Sequence, residues 1–403
     1  MTGMKPFRDL ITFEEALKII LENSQPVSRT ETVELEDSAG RVLVNDVTAS
    51  RNVPGFSRAA MDGYAVRARD TFGASRTAPK TLNNMGQIFT GEAPNVTVEN
   101  GQCIQIATGA PMPEGADSVV MVEETAHEND SIMIFKPVYP GANMSSHDSD
   151  ISKGTVVLKA GIILDPPRIG VLAALGFEKV DVYGKPKVGI YPTGSEIAKP
   201  GDELKFGMVY DINSYTLASL LEKAGAEVII HPIVKDTEDA LVKCIQGASQ
   251  DDYAVFSGGS SVGERDLLSS VVEKLGTILF HGIALKPGKP TLLGKVGETM
   301  ILGLPGYPTS CLTNAYALFL PAVKKMARLP NEINQVNAQL AERVVSTIGR
   351  HHLYTVRLEN GLAYPAFKES GAITSMSNAS GWIDIPQNTE FLEKGTRVVV
   401  NMF

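Results

Sequence analysis

A glycine- and serine-rich stretch in the second half of the chain combines residue types that bind anions. Ser257–Gly258–Gly259–Ser260–Ser261–Val262–Gly263 follows the apolar run Tyr253–Phe256 and precedes the segment Leu267–Leu275. The apolar run predicts a buried strand, and the helical spacing of leucine and valine in the segment predicts a helix. Glycine lets backbone N–H groups approach a ligand, serine hydroxyls donate, and a helix start attracts negative charge. The stretch predicts a site for phosphate or another anion, with a ligand-free turn as the alternative.

Three further apolar segments open into loops of glycine, proline and polar residues. The segments and their loops are Val188–Tyr191 with Thr193–Gly194–Ser195–Glu196, Ile283–Leu285 with Lys286–Pro287–Gly288–Lys289–Pro290, and Met300–Leu302 with Gly303–Leu304–Pro305–Gly306–Tyr307–Pro308. We predict that Thr309 caps the helix after the last loop. In a doubly wound sheet such loops gather beyond the carboxyl ends of the strands, where ligands bind. The four loops together predict a nucleotide-sized binding domain over 182–330.

Strands and helices alternate within that domain. The predicted strands lie at 188–191, 228–231 and 253–256, and the predicted helices lie at about 213–224, 237–248 and 266–275. This βαβαβ order is typical of a parallel sheet. Asp236 follows the second strand, again at a carboxyl end. The predicted fold class is therefore an α/β multidomain protein with a doubly wound α/β binding domain.

The flanking regions are predicted to be mostly β structure. Short strands and Pro/Gly turns indicate a β-rich inserted domain at 51–139, and alternating segments indicate a C-terminal β domain or barrel at 331–403. Segments 1–50 and 140–181 are predicted to form one discontinuous, elongated N-terminal domain.

Three local signals refine this picture. Thr12 and Glu15 have the spacing of a capping box and predict the start of a helix that ends near Asn23. Asn360–Gly361 predicts a hairpin turn in the C-terminal region. Asp62–Gly63 is a turn signal as well, for which a plain hairpin is the simplest explanation.

Composition and charge exclude several classes of protein. A chain of 403 residues is too long for one hydrophobic core, and its net charge of −9 argues against a nucleic-acid partner. No apolar run approaches the ~18 residues of a membrane-spanning helix, and the first residues lack a signal-peptide pattern, which favours a cytoplasmic location. Cys103, Cys244 and Cys311 form no CxxC pair, so neither a thiolate zinc site nor a disulfide framework is expected. His351 and His352 are adjacent on a predicted strand and point apart, which makes them a poor metal pair.

Five motifs, in order and spread over most of the chain, resemble one enzyme family. They are PGF with AMDGYAV at 54–66, ATGAPMPEGAD at 107–117, SGG and SVGE with the final aspartate at 257–266, LKPGKP at 285–290, and GLPG with the final proline at 303–308. The chain thereby resembles the molybdopterin molybdenumtransferases, which are molybdenum insertases of the MoeA type and include the E domain of gephyrin.

The resemblance implies a function and a set of site residues. It implies a four-domain homodimer that binds adenylated molybdopterin, inserts molybdate into its dithiolene, and releases AMP and the active molybdenum cofactor. Other proteins of molybdenum cofactor biosynthesis are candidate partners. The family's functional carboxylates fall on Asp62, Asp150, Glu196, Asp236 and Asp266, of which Glu196, Asp236 and Asp266 would hold Mg²⁺. The positions expected to bind the pterin nucleotide are Thr108, Thr193, Gly194, Ser257, Gly258, Gly259, Ser261, Gly263, Lys286, Lys289, Pro305, Gly306 and Pro308.

Several positions depart from the family pattern. Ala59 stands where the family usually has serine, and Tyr307 stands where it often has asparagine. The loop Met144–Asp150 keeps its aspartate but lacks the family's arginines.

The altered loop supports an alternative function, which is a non-enzymatic or regulatory paralogue that binds pterin or a protein partner. The retained Asp62, Glu196 and Asp266 favour the enzyme. An unrelated phosphoryl-transfer enzyme is a third possibility, but the chain has no GxxxxGK[ST] loop.

Overall fold

The computed structural model describes residues 10–258, 267–366 and 371–403. The chain divides into two compact units. The first, which we call the α/β–barrel unit, comprises Met1–Glu31, Gly40–Val42 and Val182–Phe403, and the second, the β unit, comprises Thr32–Ala39 and Leu43–Asp181. The division into four domains is finer than this partition and stays a prediction.

A six-stranded sheet forms the centre of the α/β–barrel unit. Its strands, in spatial order, are Glu227–Ile230, Lys187–Pro192, Tyr253–Ser257, Thr299–Leu304, Leu292–Val296 and Thr277–His281. The first four run parallel, and three of them are the strands for which the alternation with helices predicted parallel pairing. Leu292–Val296 runs antiparallel to both of its neighbours, so this edge of the sheet lies outside the parallel set predicted for the strands at 188–191, 228–231 and 253–256. Only Gly297 and Glu298 separate this strand from the next, and so short a connection joins antiparallel strands.

Helices cover both faces of this sheet, which confirms the doubly wound fold. In the part of the unit that the structure describes, the helices are Phe13–Asn23, Asn213–Lys223, Glu238–Gly247, Leu267–Leu275, Pro308–Asn314, Leu320–Met326 and Thr374–Ser377, with a π-helical segment at Ala315–Phe319. Val188 and Val255 belong to a buried cluster on one face, and Ala254 and Phe256 belong to a second cluster on the other. This alternation follows from the period of two along a strand.

Two helix starts test the predicted caps. The capping box of Thr12 and Glu15 is present in full and starts the helix at Phe13. The prediction that Thr309 caps the later helix is wrong, because the cap position is Tyr307 and Pro308 occupies the first turn. Proline is favoured there since its missing N–H has no helical partner to lose. Thr309 is instead fully buried in that turn.

The strand predicted at Ile283–Leu285 is displaced and belongs to another sheet. The observed strand is Leu285–Lys286, which pairs in parallel with His351–His352 of the C-terminal region. The loop that starts at Lys286 therefore does not follow a strand of the α/β sheet, contrary to the prediction.

The C-terminal region is a closed β-barrel. Its ring of paired strands runs His351–Glu359, Leu362–Pro365, Gln335–Leu340, Arg397–Met402 and Gly381–Ile385, and the last pairs again with the first. Asn360 and Gly361 form the predicted turn, with φ of 50° and 78°. His351 Nε2 lies 2.9 Å from Asp384 Oδ1, whereas the His352 ring is buried with Nδ1 3.0 Å from Ser346 Oγ, so the two rings point apart as predicted.

A six-stranded sheet also lies in the β unit. In spatial order its strands are Ser118–Met121, Gly63–Val66, Gln102–Ile106, Lys80–Ile88, Ser131–Ile134 and Thr125–Glu128. Val47–Thr48 pairs with Val156–Leu158, and the helix of the unit is Pro166–Ala174. Arg58–Ala59 pairs with Met144–Ser145 and not with Gly63–Val66, so Asp62–Gly63 is not a hairpin turn.

The described residues contain six further short strands. They are Thr30–Glu34, Lys179–Tyr183, Ile197–Ala198, Val209–Tyr210, Val344–Val345 and Phe391–Leu392. Within the described residues, every helix is too short or too polar to cross a bilayer.

Candidate functional site

An open cleft with a volume of ≈ 870 Å³ lies in the α/β–barrel unit. This volume is in the range of small-molecule binding sites. The cleft is bounded by loops that follow three parallel strands, by the loop Lys286–Pro290, and by backbone from the barrel region. The predicted site residues that line it are Thr193, Glu196, Gly258, Lys286, Lys289, Pro305, Gly306 and Pro308.

Close approach of backbone shapes the floor of the cleft at Gly258. This residue has φ of 111°, and a Cβ there would lie 2.4 Å from the carbonyl oxygen of Thr193. Its N–H donates to the Leu304 carbonyl at 3.2 Å. A Cβ on Gly306 would lie 3.5 Å from Gly258 Cα. Glycine is therefore required at Gly258, where three strand ends meet against the cleft.

The loop Lys286–Pro290 is held from behind by Asn314, which is fully buried. The Asn314 amide Nδ2 donates to the Gly288 carbonyl at 3.0 Å and to Thr291 Oγ1 at 2.7 Å. Gly288 has φ of 106°, and a Cβ on it would collide with that amide. The loop thus presents its two lysines from a supported backbone.

Basic side chains outnumber acidic ones among the described residues that line the cleft. Lys286, Lys289 and Arg350 are the basic residues, and Glu196 and Asp211 are the acidic ones. The Lys286 ammonium is anchored by donation to Thr347 Oγ1 at 2.9 Å. Ammonium and guanidinium groups form strong hydrogen bonds with phosphate oxygens, so the cleft suits a phosphate-bearing ligand.

The acidic residues of the cleft have different environments. Asp211 is 7% exposed, and its Oδ1 accepts the N–H of Ser214 at the start of the helix Asn213–Lys223. Glu196 is exposed, and its carboxylate lies over the backbone of Gly194. Of the predicted metal ligands that the structure describes, Glu196 lines the cleft.

Other predicted site residues are not brought to the cleft. Among the described residues, Asp236, Gly194 and Ser257 do not line it. Ser257 is buried, and its hydroxyl has no hydrogen-bond partner within the described chain. The described ranges hold no cluster of three His, Cys, Asp or Glu side chains that could bind a metal ion. The predictions for Gly259, Ser261, Gly263 and Asp266 lie outside the described residues.

Sequence reasoning did not identify several residues that line the cleft. They are Ile197, Val209, Tyr210, Asp211, Asn213, Ser310 and Arg350. Asp211 and Ser214 have the spacing of a helix cap, so the start of that helix was recognisable. Arg350 precedes a strand of the barrel, where no local pattern points to the cleft.

The β unit brings together two of its predicted site residues. Asp62 Oδ1 accepts the N–H of Thr108 at 2.7 Å and the Thr108 hydroxyl at 2.9 Å. These bonds, first the backbone one and then the hydroxyl one, hold the pKa of the Asp62 carboxyl below its usual value. Both side chains are exposed, so an ionised, oriented carboxylate faces outward from this unit.

Asp150 lies in the same unit, is exposed, and ends the loop Met144–Asp150. Its N–H donates to the Val53 carbonyl at 3.0 Å, and the N–H of Asp148 donates to the Pro54 carbonyl at 2.9 Å. The loop therefore packs along the PGF motif that precedes Asp62.

Family models match three successive parts of the chain. The MoeA N-terminal region (domain I and II) matches residues 11–176, a probable molybdopterin binding domain matches residues 190–325, and the MoeA C-terminal region (domain IV) matches residues 337–403. The cleft residues from Thr193 to Ser310 fall within the second match.

Full-length relatives agree with these matches. The chain is 33% identical to a putative molybdopterin biosynthesis protein of Methanocaldococcus jannaschii, over 98% of this chain and 99% of that protein. It is 37% identical to a molybdopterin molybdenumtransferase of Haemophilus influenzae, over 79% of this chain and 78% of the relative. The crystal structure of a molybdopterin biosynthesis MoeA protein from Pyrococcus horikoshii matches with a TM-score of 0.83 and 39% identity, covering 98% of this chain and 99% of that one. The chain belongs to the MoeA family of molybdopterin molybdenumtransferases, which are enzymes of molybdenum cofactor biosynthesis.

Proposed function

We propose that this protein inserts molybdate into adenylated molybdopterin and releases AMP and the active molybdenum cofactor. The observation that carries this proposal is a cleft that Lys286, Lys289, Glu196 and Arg350 all line. The first three of these residues fall within the matched molybdopterin binding region. The basic groups would bind the phosphates of the ligand. The glycine-lined floor at Gly258 leaves room for a ligand to approach the backbone.

The carboxylates are proposed to act at the reacting groups. Mg²⁺ commonly takes one or two protein carboxylates and completes its coordination with phosphate oxygens and water, so Glu196 in a cleft for phosphates fits this ion. Asp236 and Asp266 are the other proposed ligands. Such an ion supplies charge stabilisation during cleavage of a phosphoanhydride. Asp62 and Asp150 are proposed to position a cation or the incoming oxyanion.

The proposed function is tested by adding adenylated molybdopterin with and without molybdate and measuring AMP. We expect the protein to bind the pterin nucleotide in both cases and to release AMP only when molybdate is present. Binding without molybdate-dependent AMP release would instead support the non-enzymatic paralogue. Failure to bind the nucleotide at all would contradict both functions. A parallel series with tungstate identifies the preferred oxyanion.

We also propose a homodimer in which each site combines the cleft of one chain with residues 51–139 of the other. The segment that leads to Asp62 exposes two large apolar side chains, with Phe56 at 49% and Met61 at 48%. A contact with the partner chain would cover them. Light scattering is expected to give twice the chain mass of 43.2 kDa. A stable monomer with full activity would contradict this assembly.

A further inference from the structure

Tyr307 presents a large aromatic ring to the cleft. The residue is 66% exposed and stands between Gly306 and Pro308, which line the cleft with it. Tyrosine rings supply apolar contact area with little loss of conformational freedom, since they have only two rotatable bonds. A ligand bound in the cleft could therefore contact the exposed ring of Tyr307.

The backbone on both sides of this ring is fixed by hydrogen bonds. Asn213, which is 6% exposed, donates from Nδ2 to the Gly306 carbonyl at 2.9 Å. The Tyr307 carbonyl accepts the N–H of Cys311 at 2.9 Å in the first turn of the following helix. These bonds hold the backbone on both sides of Tyr307, and neither of them involves the phenol ring.

The ring has no structural role in its own helix cap. Tyr307 occupies the cap position of the helix Pro308–Asn314, yet its side chain makes no capping bond within the described residues. One edge of the Tyr307 ring lies beside Gly371 of the barrel region, because a Cβ added to Gly371 would lie 3.8 Å from Tyr307 Cδ1. Its exposed part is left for contact with a ligand.

We infer that Tyr307 stacks on a fused, nitrogen-containing bicyclic ring of the phosphate-bearing ligand and so contributes to substrate specificity. This inference rests on the proposed function, in which the ligand carries two such rings, adenine and the pterin. Lys286 and Lys289 line the same cleft and suit the phosphates that join these rings. Stacking on an aromatic side chain tolerates differences between heterocycles because each has a π face.

Three probes separate the ring from the phosphate. AMP carries adenine with a phosphate, molybdopterin carries the pterin with a phosphate, and ribose 5-phosphate carries a phosphate without either ring. Tyr307→Ala is expected to weaken binding of AMP or of molybdopterin about tenfold in calorimetry, which corresponds to the loss of one stacked ring. Binding of ribose 5-phosphate is expected to stay unchanged, and the probe that loses affinity identifies the stacked ring.

Two control variants isolate the ring from general effects of substitution. Tyr307→Phe keeps the π face and is expected to bind all three probes like the wild type. Tyr215→Ala removes a tyrosine that is 44% exposed in the same unit but, among the described residues, does not line the cleft, and it is expected to change no affinity. Circular dichroism of each variant checks that the fold is retained.

The outcome distinguishes this inference from the function on which it rests. If Tyr307→Ala binds AMP and molybdopterin within twofold of the wild type while the wild type releases AMP with molybdate, the stacking role is wrong and the proposed function stands. If the wild type binds neither AMP nor molybdopterin, the proposed function fails and the inference fails with it.

Discussion

Asp62→Ala is expected to lower the rate of AMP release about a hundredfold or more while the affinity for adenylated molybdopterin stays close to that of the wild type. Removing a charged group that acts only during the reaction lowers turnover and spares ground-state binding. The Thr108 N–H and hydroxyl hold the Asp62 carboxylate in one orientation and lower its pKa, so it is ionised at neutral pH. Single-turnover AMP release and calorimetry on the same preparation measure the two quantities separately.

Asp46→Ala is a matched control for this variant. Asp46 is also an exposed carboxylate of the β unit, and it accepts the Ala160 N–H at 2.8 Å, a bond that lowers its pKa as well. It matches no site position, so its removal is expected to leave AMP release unchanged. Equal loss of activity in both variants would indicate a general effect on the β unit and would contradict a specific role for Asp62.

Two further aspartates extend the test. Asp266→Ala is expected to behave like Asp62→Ala, with nucleotide binding retained and little AMP released. Asp150→Ala is more informative about this chain, because the loop around Asp150 lacks the family's arginines. If Asp150→Ala makes cofactor as fast as the wild type in the presence of molybdate, this loop does not take part in the reaction and the paralogue hypothesis gains support.

The second large effect is expected at the two lysines of the loop Lys286–Pro290. Lys286→Ala or Lys289→Ala is expected to weaken binding of adenylated molybdopterin by about 1–3 kcal/mol, the range for charge-assisted hydrogen bonds. The affinity is expected to fall because each variant removes a charged side-chain donor. The backbone of the loop that carries both lysines is held in place by Asn314. Calorimetry measures the change, and the wild-type affinity should fall as salt concentration rises.

Lys295→Ala is the control for a general loss of positive charge. Lys295 belongs to the same unit and pairs with Glu298 at 3.1 Å, and it does not line the cleft among the described residues. Its removal is expected to leave the affinity unchanged. If Lys286→Ala and Lys289→Ala also bind the nucleotide like the wild type, the two lysines are ordinary surface residues and the proposed phosphate contact is wrong.

Local patterns in the sequence determined much of the fold of this protein. The alternation of apolar strands and periodic helices predicted three of the four parallel strands and the doubly wound arrangement. The apolar run Met300–Leu302 predicted the fourth strand. The capping box at Thr12 and the turn at Asn360–Gly361 were equally readable. Each of these features depends on residues close together in the chain, so their preferred conformations are decided locally.

The tertiary structure alone decided which loops share one cleft. Lys286 lines the cleft and belongs to a short strand that pairs with a barrel strand. Arg350 also lines the cleft and directly precedes the barrel strand His351–Glu359. Asp236, by contrast, follows a strand of the α/β sheet but is not among the described residues that line the cleft. Tyr307 likewise took the cap position predicted for Thr309. Pairing between strands that are distant in the chain depends on the packing of the whole unit. The sequence next to the paired residues therefore contains no periodic pattern from which the pairing could be predicted.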